Sequence, residues 1–422
     1  MNKENAQDNV DNIVYDLNSL YSAFLAAKKD SDWKPQVQKY EIDFLPNIVS
    51  TKDLLKNREY HSKPSSEFII NERGKVRPIT GLQMSDRVIR HSLCDNVLSP
   101  SLIDYLIYDN GASLKGKGID FSRKRFEEHL HKYYRMYGND GYILLMDYSK
   151  FYDNIPHDIA YREIAKHVND EFSLWLLQQI FDNFKIDVSY MNDEEFSNCM
   201  NVPFNSTEYR LKIPKSAHTG EKYMRKSVNI GDQCSQIIGI FYPTPVDNFV
   251  KIVKSQKFYG RYMDDSYVIH RDREFLVQLE IEIAEKAKEL GMTLNRKKTR
   301  IVKLSDYYKF LQITYSLTDT GRVIRKINPR RIVDMRRKLK KLSLKVIRGE
   351  RTQEEVENMF RAWMGGHAHL MSKIQRDNLN LLYFDLFGGF IDGKYYLQYY
   401  PRRQNRDSRH NEWKQLYNRR CG

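Results

Sequence analysis

Tyr262-Met263-Asp264-Asp265 sets two adjacent carboxylates between two short runs that read as β-strands. The left arm, residues 257–261, carries Phe258 and Tyr259. The right arm, Ser266-Tyr267-Val268-Ile269, is aromatic and β-branched, so both arms favour a pleated, half-buried surface. A turn between them presents both aspartates at its tip. Taken alone, the pair also fits an ordinary solvated turn. A second acid narrows the choice. Tyr142-Ile143-Leu144-Leu145-Met146 is a continuous apolar run of strand length, preceded by Gly141, ending at Asp147 and followed further on by Pro156. Such a run suits a central strand buried on both faces. Asp147 then stands either beside the hairpin tip or as a cap for the helix after Pro156. A two-metal phosphoryl-transfer site needs convergent carboxylates around ions ~3.5–4 Å apart, and hard Mg²⁺ prefers oxygen ligands. Asp147, Asp264 and Asp265 supply such a set.

With these motifs in this order, the chain resembles a reverse transcriptase from about residue 60 to residue 315. Within that family it is similar to bacterial group II intron-like enzymes, in particular to stand-alone defence-associated and diversity-generating retroelement members. The resemblance implies an α+β right-hand polymerase, with fingers, a palm built on an antiparallel sheet and a helical thumb. It also implies an RNA-directed DNA polymerase that extends a 3′-hydroxyl with dNTPs. Asp147, Asp264 and Asp265 fall on the catalytic and metal positions, for two Mg²⁺ ions, and the Tyr148 backbone carbonyl completes the site.

Other segments match in turn. Arg73-Gly74-Lys75-Val76-Arg77-Pro78-Ile79 resembles the fingers hairpin, where Lys75 and Arg77 would reach the incoming triphosphate. Arg87, in Ser85-Asp86-Arg87, either contacts template or pairs with a carboxylate. Gly111-Ala112-Ser113-Leu114-Lys115-Gly116-Lys117-Gly118 resembles a segment in which glycines admit phosphate and Lys115 and Lys117 add charge. It lacks the Gly-Lys-Ser/Thr ending of a Walker loop. Tyr152 matches the steric gate that excludes a ribose 2′-hydroxyl. In Asn229-Ile230-Gly231-Asp232-Gln233-Cys234-Ser235-Gln236, Gly231 and Ser235 keep the spacing of the motif against the templating pair. Ile230 and Gln236 depart from the usual glutamine and proline, as in diversity-generating and defence-associated enzymes. Lys298 falls at the lysine proposed to protonate pyrophosphate, although a phosphate-contacting lysine fits equally well. Phe310-Leu311-Gln312-Ile313-Thr314-Tyr315 resembles the primer-grip hairpin.

Composition agrees with a polyanionic partner. The chain has 422 residues, is 41% hydrophobic and carries a formal charge of +14, enough for about two to three packed units. Residues 322–351 hold thirteen Lys/Arg against two acids. The apolar stripe Ile332, Met335, Leu339, Leu342 and Val346 has helical spacing, so the basic side chains cover the other face. Arg330, Arg331, Arg337 and Lys341 are candidates for the nucleic-acid backbone there. A second helix through Val356, Met359, Phe360 and Trp363 is expected to end near Gly365-Gly366, with His367 and His369 as packing or RNA-contacting residues.

The expected organisation is a helical N-terminal extension at 1–60, interleaved fingers and palm at 61–315 with an insertion about 187–228, a thumb at 316–395 and a basic tail at 396–422. The extension begins with an amphipathic stripe of Val10, Ile13, Leu17, Leu20, Tyr21 and Phe24. Four cysteines without metal or disulfide spacing, and the lack of any long apolar run, are expected of a cytoplasmic protein that does not enter membranes. The expected partners are template RNA in the form of a structured non-coding RNA, the cDNA product and dNTPs. A homo-oligomer is left open, as is a maturase or scaffold role in which polymerisation is secondary.

Overall fold

A computed structural model describes residues 12–72, 75–201 and 203–390, and the chain divides between Lys303 and Leu304 into two compact units. In the first unit, strands β1 (Ser66–Glu72) and β2 (Lys75–Gly81) form an antiparallel hairpin. A separate antiparallel sheet joins β3 (Tyr142–Met146), β4 (Tyr259–Tyr262), β5 (Asp265–His270) and β6 (Arg300–Lys303) in the order β4-β5-β3-β6. Ile143, Leu144, Leu145 and Met146 are at most 6% exposed, as expected of an interior strand without a solvent face. Leu144 pairs with Val268 of β5 and with Ile301 of β6, and Met146 pairs with Ser266. The helix Arg273–Glu289, capped by the Asp272 carboxylate, buries Leu276, Leu279, Ile283 and Ala287. That is the stripe its 3.6-residue period predicts.

The N-terminal helix begins later than its apolar pattern suggests. The Asp16 carboxylate accepts the N–H groups of Asn18 and Ser19, which starts the helix Leu17–Lys28 at that point. Its buried face runs through Leu20, Ala23, Phe24 and Ala27, and the two alanines let it pack closely on the helix Met84–Leu93. Ile13, Leu17 and Tyr21 are exposed, and Val10 lies outside the described residues.

Residues 187–228 fold as a small module. A ladder of Ile186–Asp187 with Tyr223–Met224 and the helices Asp193–Asn201 and Ser206–Lys212 enclose Val188, Met191, Phe204, Tyr209 and Met224. Asp193, Glu194 and Glu195 form the first turn of the earlier helix, where negative charge is favoured by the helix dipole.

The second unit pairs β7 (Tyr308–Phe310), β8 (Ile313–Leu317) and β9 (Val323–Ile327) in the order β9-β8-β7. Leu311 and Gln312 both take positive φ, 43° and 70°, as a tight two-residue hairpin requires. The helix Pro329–Ile347 buries Met335, Leu339 and Ser343 and leaves most of its basic residues outside. The next helix, Gln353–His367, ends one residue beyond Gly365-Gly366. Its last turn is held by His367, which stacks on Trp363 and bonds the Trp363 carbonyl. The helix Lys373–Phe387 buries Leu379, Tyr383 and Phe387. The basic tail lies outside the described residues. Among the described residues, no helix is long and apolar enough to cross a membrane.

One buried histidine makes the fold acid-sensitive. His157 Nε2 lies 2.6 Å from the Ser227 carbonyl and must donate to it, while its Nδ1 has no partner. Burial holds its pKa down at about 4, against an ordinary value near 6.5. The unfolded chain therefore takes up the proton first. Its stabilising contribution is complete above about pH 6.5 and is lost as pH falls toward 4, at roughly 1.4 kcal/mol per pH unit. Urea unfolding should show a lower midpoint at pH 5 than at pH 7, with a shallower decline in His157→Asn. Identical pH slopes for the two proteins would refute the assignment to His157.

Candidate active site

The sheet register brings the separated acids together. Because Met146 pairs with Ser266, the residue that follows β3, Asp147, arrives opposite Asp265, the first residue of β5. The β4–β5 turn is Met263-Asp264, with Met263 in the left-handed region at φ 53° and Tyr262 paired with Asp265. The segment before β6 runs alongside: Ser149 N–H donates to Thr293 O, Asn295 N–H donates to Asp147 O at 2.7 Å, and Tyr148 bridges to Leu294. Lys298 N–H in turn bonds Asn295 O, which delivers the Lys298 ammonium to Asp147 Oδ2 at 2.6 Å.

This corner carries more negative charge than its surroundings neutralise. Burial first, then the charges of Asp264 and Asp147, push the Asp265 carboxyl up to about 7. Burial and Asp147 raise Asp264 as well, and Lys298 and Lys75 offset only part of the effect. Carboxylates forced together in this way favour a cation. Among the described residues, no group of three or more His, Cys, Asp or Glu is placed to hold a metal ion by itself, so Asp147, Asp264 and Asp265 do not form a ready-made cage. Mg²⁺ seldom requires one, since it is commonly held by one or two carboxylates plus substrate phosphates and water. The all-oxygen donor set of Asp147, Asp264 and Asp265 fits that mode.

A buried ion pair fixes the hairpin from behind. Arg261 Nε donates to both Asp247 oxygens at 2.9 Å, and both side chains are 0% exposed. Arg261 Nη2 adds bonds at 2.7 Å to Asp247 and to Ile240 O, while Nη1 reaches Met263 O at 3.1 Å, in the turn itself. Tyr259 donates to the same aspartate at 2.6 Å. A second buried pair, Arg90 with Asp232, ties the helix Met84–Leu93 to the start of Gln233–Phe241, where Asp232 also caps Cys234 N–H. These pairs were not among the expected site residues. The only local signal was a charged residue, Arg261, inside an otherwise apolar and aromatic strand.

The β1–β2 hairpin turns its basic strand to the acids. Lys75 and Arg77 are exposed on β2, the Lys75 charge acts on Asp264 and Asp265, and the Arg77 charge acts on Tyr152. Arg73 and Gly74 lie outside the described residues. Tyr152 is half-buried, its hydroxyl 3.7 Å from Met263 Sδ, and burial with the Asp264 charge pushes that hydroxyl up to about 12. A Cβ on Gly239 would come within 2.9 Å of the Tyr152 hydroxyl, so glycine makes room for the ring. Gly231 takes φ 101°, and Thr80 N–H donates to Ile230 O, which holds this loop against β2. Gln236 is exposed, as are Lys115, Arg330, Arg337 and Lys341.

Other expected contacts turn inward. Ser235 is 1% exposed, so its hydroxyl is withdrawn from any bound nucleic acid. Arg87 is half-buried and donates to the Ala27 carbonyl, and no ion pair to a carboxylate is seen for it among the described residues. Lys117 bonds the carbonyls of Tyr108 and Asn110, at 2.8 and 3.2 Å, and lies against the Tyr108 and Phe121 rings. The Tyr148 ring is buried and stacks on Phe151, which leaves the backbone as its contribution to the site. In the second unit Arg331 bonds His367.

The family described as reverse transcriptase (RNA-dependent DNA polymerase) matches residues 62–315. Among solved structures, the chain is similar to a telomerase from Candida albicans in complex with a TWJ fragment of telomeric RNA. The identity is 14% and the TM-score 0.41, over 65% of this chain and 46% of that one. The chain thus spans less than half the length of that protein. Comparison with curated proteins returns no match.

Proposed function

The chain belongs to the reverse transcriptase family and has its right-hand polymerase fold, and on that premise we propose that it is an RNA-directed DNA polymerase. The observation that carries the reading is the convergence of Asp147 with Asp264 and Asp265 in a corner with uncompensated negative charge. The three carboxylates, with the Tyr148 carbonyl, would hold two Mg²⁺ ions, which would supply charge neutralisation and lower the pKa of the primer hydroxyl. The primer 3′-hydroxyl gives up its proton to solvent, and its oxygen forms a bond to the α-phosphorus of a dNTP as the bond to pyrophosphate breaks. Lys75 and Arg77 neutralise the triphosphate and hold it in line. Lys298 donates the proton from Nζ to the departing pyrophosphate, and Tyr152 refuses the ribose 2′-hydroxyl. Gly231 and Gln236 lie against the templating pair, and Lys115, Arg330, Arg337 and Lys341 contact the nucleic-acid backbone.

Primer extension tests this directly. The purified chain, given an RNA template, an annealed DNA primer, dNTPs and Mg²⁺, lengthens the primer and stops when Mg²⁺ is chelated. A primer that remains unextended across Mg²⁺ and Mn²⁺ refutes the reading.

We also propose that the template is a structured non-coding RNA and that the enzyme serves antiphage defence in the cytoplasm. Ile230 and Gln236, at the position facing the templating pair, support this role, and they equally suit a low-fidelity enzyme of a diversity-generating retroelement. Sequencing the nucleic acid that copurifies separates the two: a single structured RNA supports defence, whereas heavily misincorporated copies of a repeat support diversification.

A further inference from the structure

We infer that the 187–228 module positions Tyr152 and thereby sets the preference for deoxynucleotides; the inference rests on the proposed gate role of that ring. Three consecutive residues of the turn that carries the gate are each bonded to the module or its end. Val228 N–H donates to the Tyr152 carbonyl at 2.9 Å. The Asp153 carboxylate accepts both the N–H and the hydroxyl of Ser206. Asn154, 3% exposed, makes a reciprocal pair with the Phe204 backbone, donating to its carbonyl at 3.0 Å and accepting its N–H at 2.8 Å. The module thus grips the turn at its backbone and at two side chains.

The ring itself is held by packing and not by a strong hydrogen bond. It meets Phe151 edge-on and lies against Gly239, and its hydroxyl makes a long contact to the Met263 sulfur. Its position along that packing surface is set by the backbone that the module holds. The module also extends toward the other end of the nucleotide, because its helix Ser206–Lys212 lies against β2, which bears Lys75 and Arg77. One folded element with its own apolar cluster touches both the sugar-reading turn and the phosphate-reading hairpin. Loosening its hold lets the ring retreat by a fraction of an ångström and admits a 2′-hydroxyl.

The test is the ratio of ribonucleotide to deoxynucleotide kcat/KM on one RNA template and DNA primer. Asn154→Ala raises this ratio about tenfold, in keeping with the sensitivity of such sites to small displacements. Ser206→Ala, which removes a single hydroxyl and spares the packing, raises it less, and Ser206→Thr restores the unmodified ratio. In a Tyr152→Ala background, where the gate is already gone, Asn154→Ala adds nothing. An unchanged ratio in Ser206→Ala and Asn154→Ala, with deoxynucleotide incorporation retained, overturns the inference. So does a shift of equal size in the Tyr152→Ala background, which would mark a general structural effect. Failure of the unmodified chain to incorporate any deoxynucleotide is a different result: it removes the polymerase reading, and this inference with it.

Discussion

Replacing Asp264 and Asp265 together by alanine lowers dNTP incorporation by about 10⁴-fold or more, since the metal-borne stabilisation of the transition state is worth several kcal/mol. The same protein keeps its fold. Both carboxyls are raised by burial and by the neighbouring acids, so removing them relieves repulsion, and the melting temperature does not fall. RNA binding also persists, because Lys115, Gln236 and the exposed basic residues of Pro329–Ile347 are unchanged. The three measurements belong together: primer extension, thermal unfolding and a filter-binding titration with RNA. Synthesis within tenfold of the unmodified enzyme would remove both aspartates from the chemistry. Lost synthesis accompanied by a lower melting temperature would make them structural.

Asp247→Ala is the most destabilising single change expected. It strips the carboxylate from Arg261, a guanidinium with no exposure to water, and an uncompensated buried charge costs about 3–5 kcal/mol. That is a large part of the 5–15 kcal/mol that typical domains possess. The damage reaches the active site, because the same guanidinium holds the Met263 carbonyl in the turn. Asp247→Asn keeps the shape and one acceptor and loses less. Arg261→Met combined with Asp247→Leu removes both charges, so it recovers most of the stability while leaving the turn unheld and incorporation impaired. Guanidinium unfolding of the four proteins measures the first effect and primer extension the second. A loss below about 1 kcal/mol in Asp247→Ala would mean that water or another acid reaches Arg261.

What was legible in the chain follows from periodicity and adjacency. The apolar run 142–146 suited an interior strand, and the stripe from Leu276 to Ala287 suited one helix face; both are found buried. The acids were legible because motif order implied their convergence, which the strand register accounts for. Polar side chains were harder, since their destinations depend on what tertiary structure brings near. Lys117 looked like a phosphate contact and instead bonds two carbonyls, and Arg87 closes on Ala27. Ser235 keeps its spacing in the motif, yet the helix turns it inward. The N-terminal stripe held at Leu20 and Phe24 but not at Ile13, which precedes the Asp16 cap, or at Leu17 and Tyr21, which are exposed. Asp247 had no local signal, for an aspartate becomes the partner of Arg261 only once the helix Thr244–Asn248 packs on β4.

The register of β3 also dictates when Asp147 can meet Asp264 and Asp265 during synthesis. Leu144 finds its partners only at Val268 and Ile301, so more than a hundred residues must leave the ribosome before the strand has a neighbour on either side. At ordinary elongation rates that interval is on the order of ten seconds. During it, the most apolar strand of the chain has both edges unpaired, a condition that favours wrong pairing and aggregation. Synthesis slowed after β3 should therefore lower the yield of active protein more than synthesis slowed after β6, and co-expressed chaperone should recover the first loss preferentially.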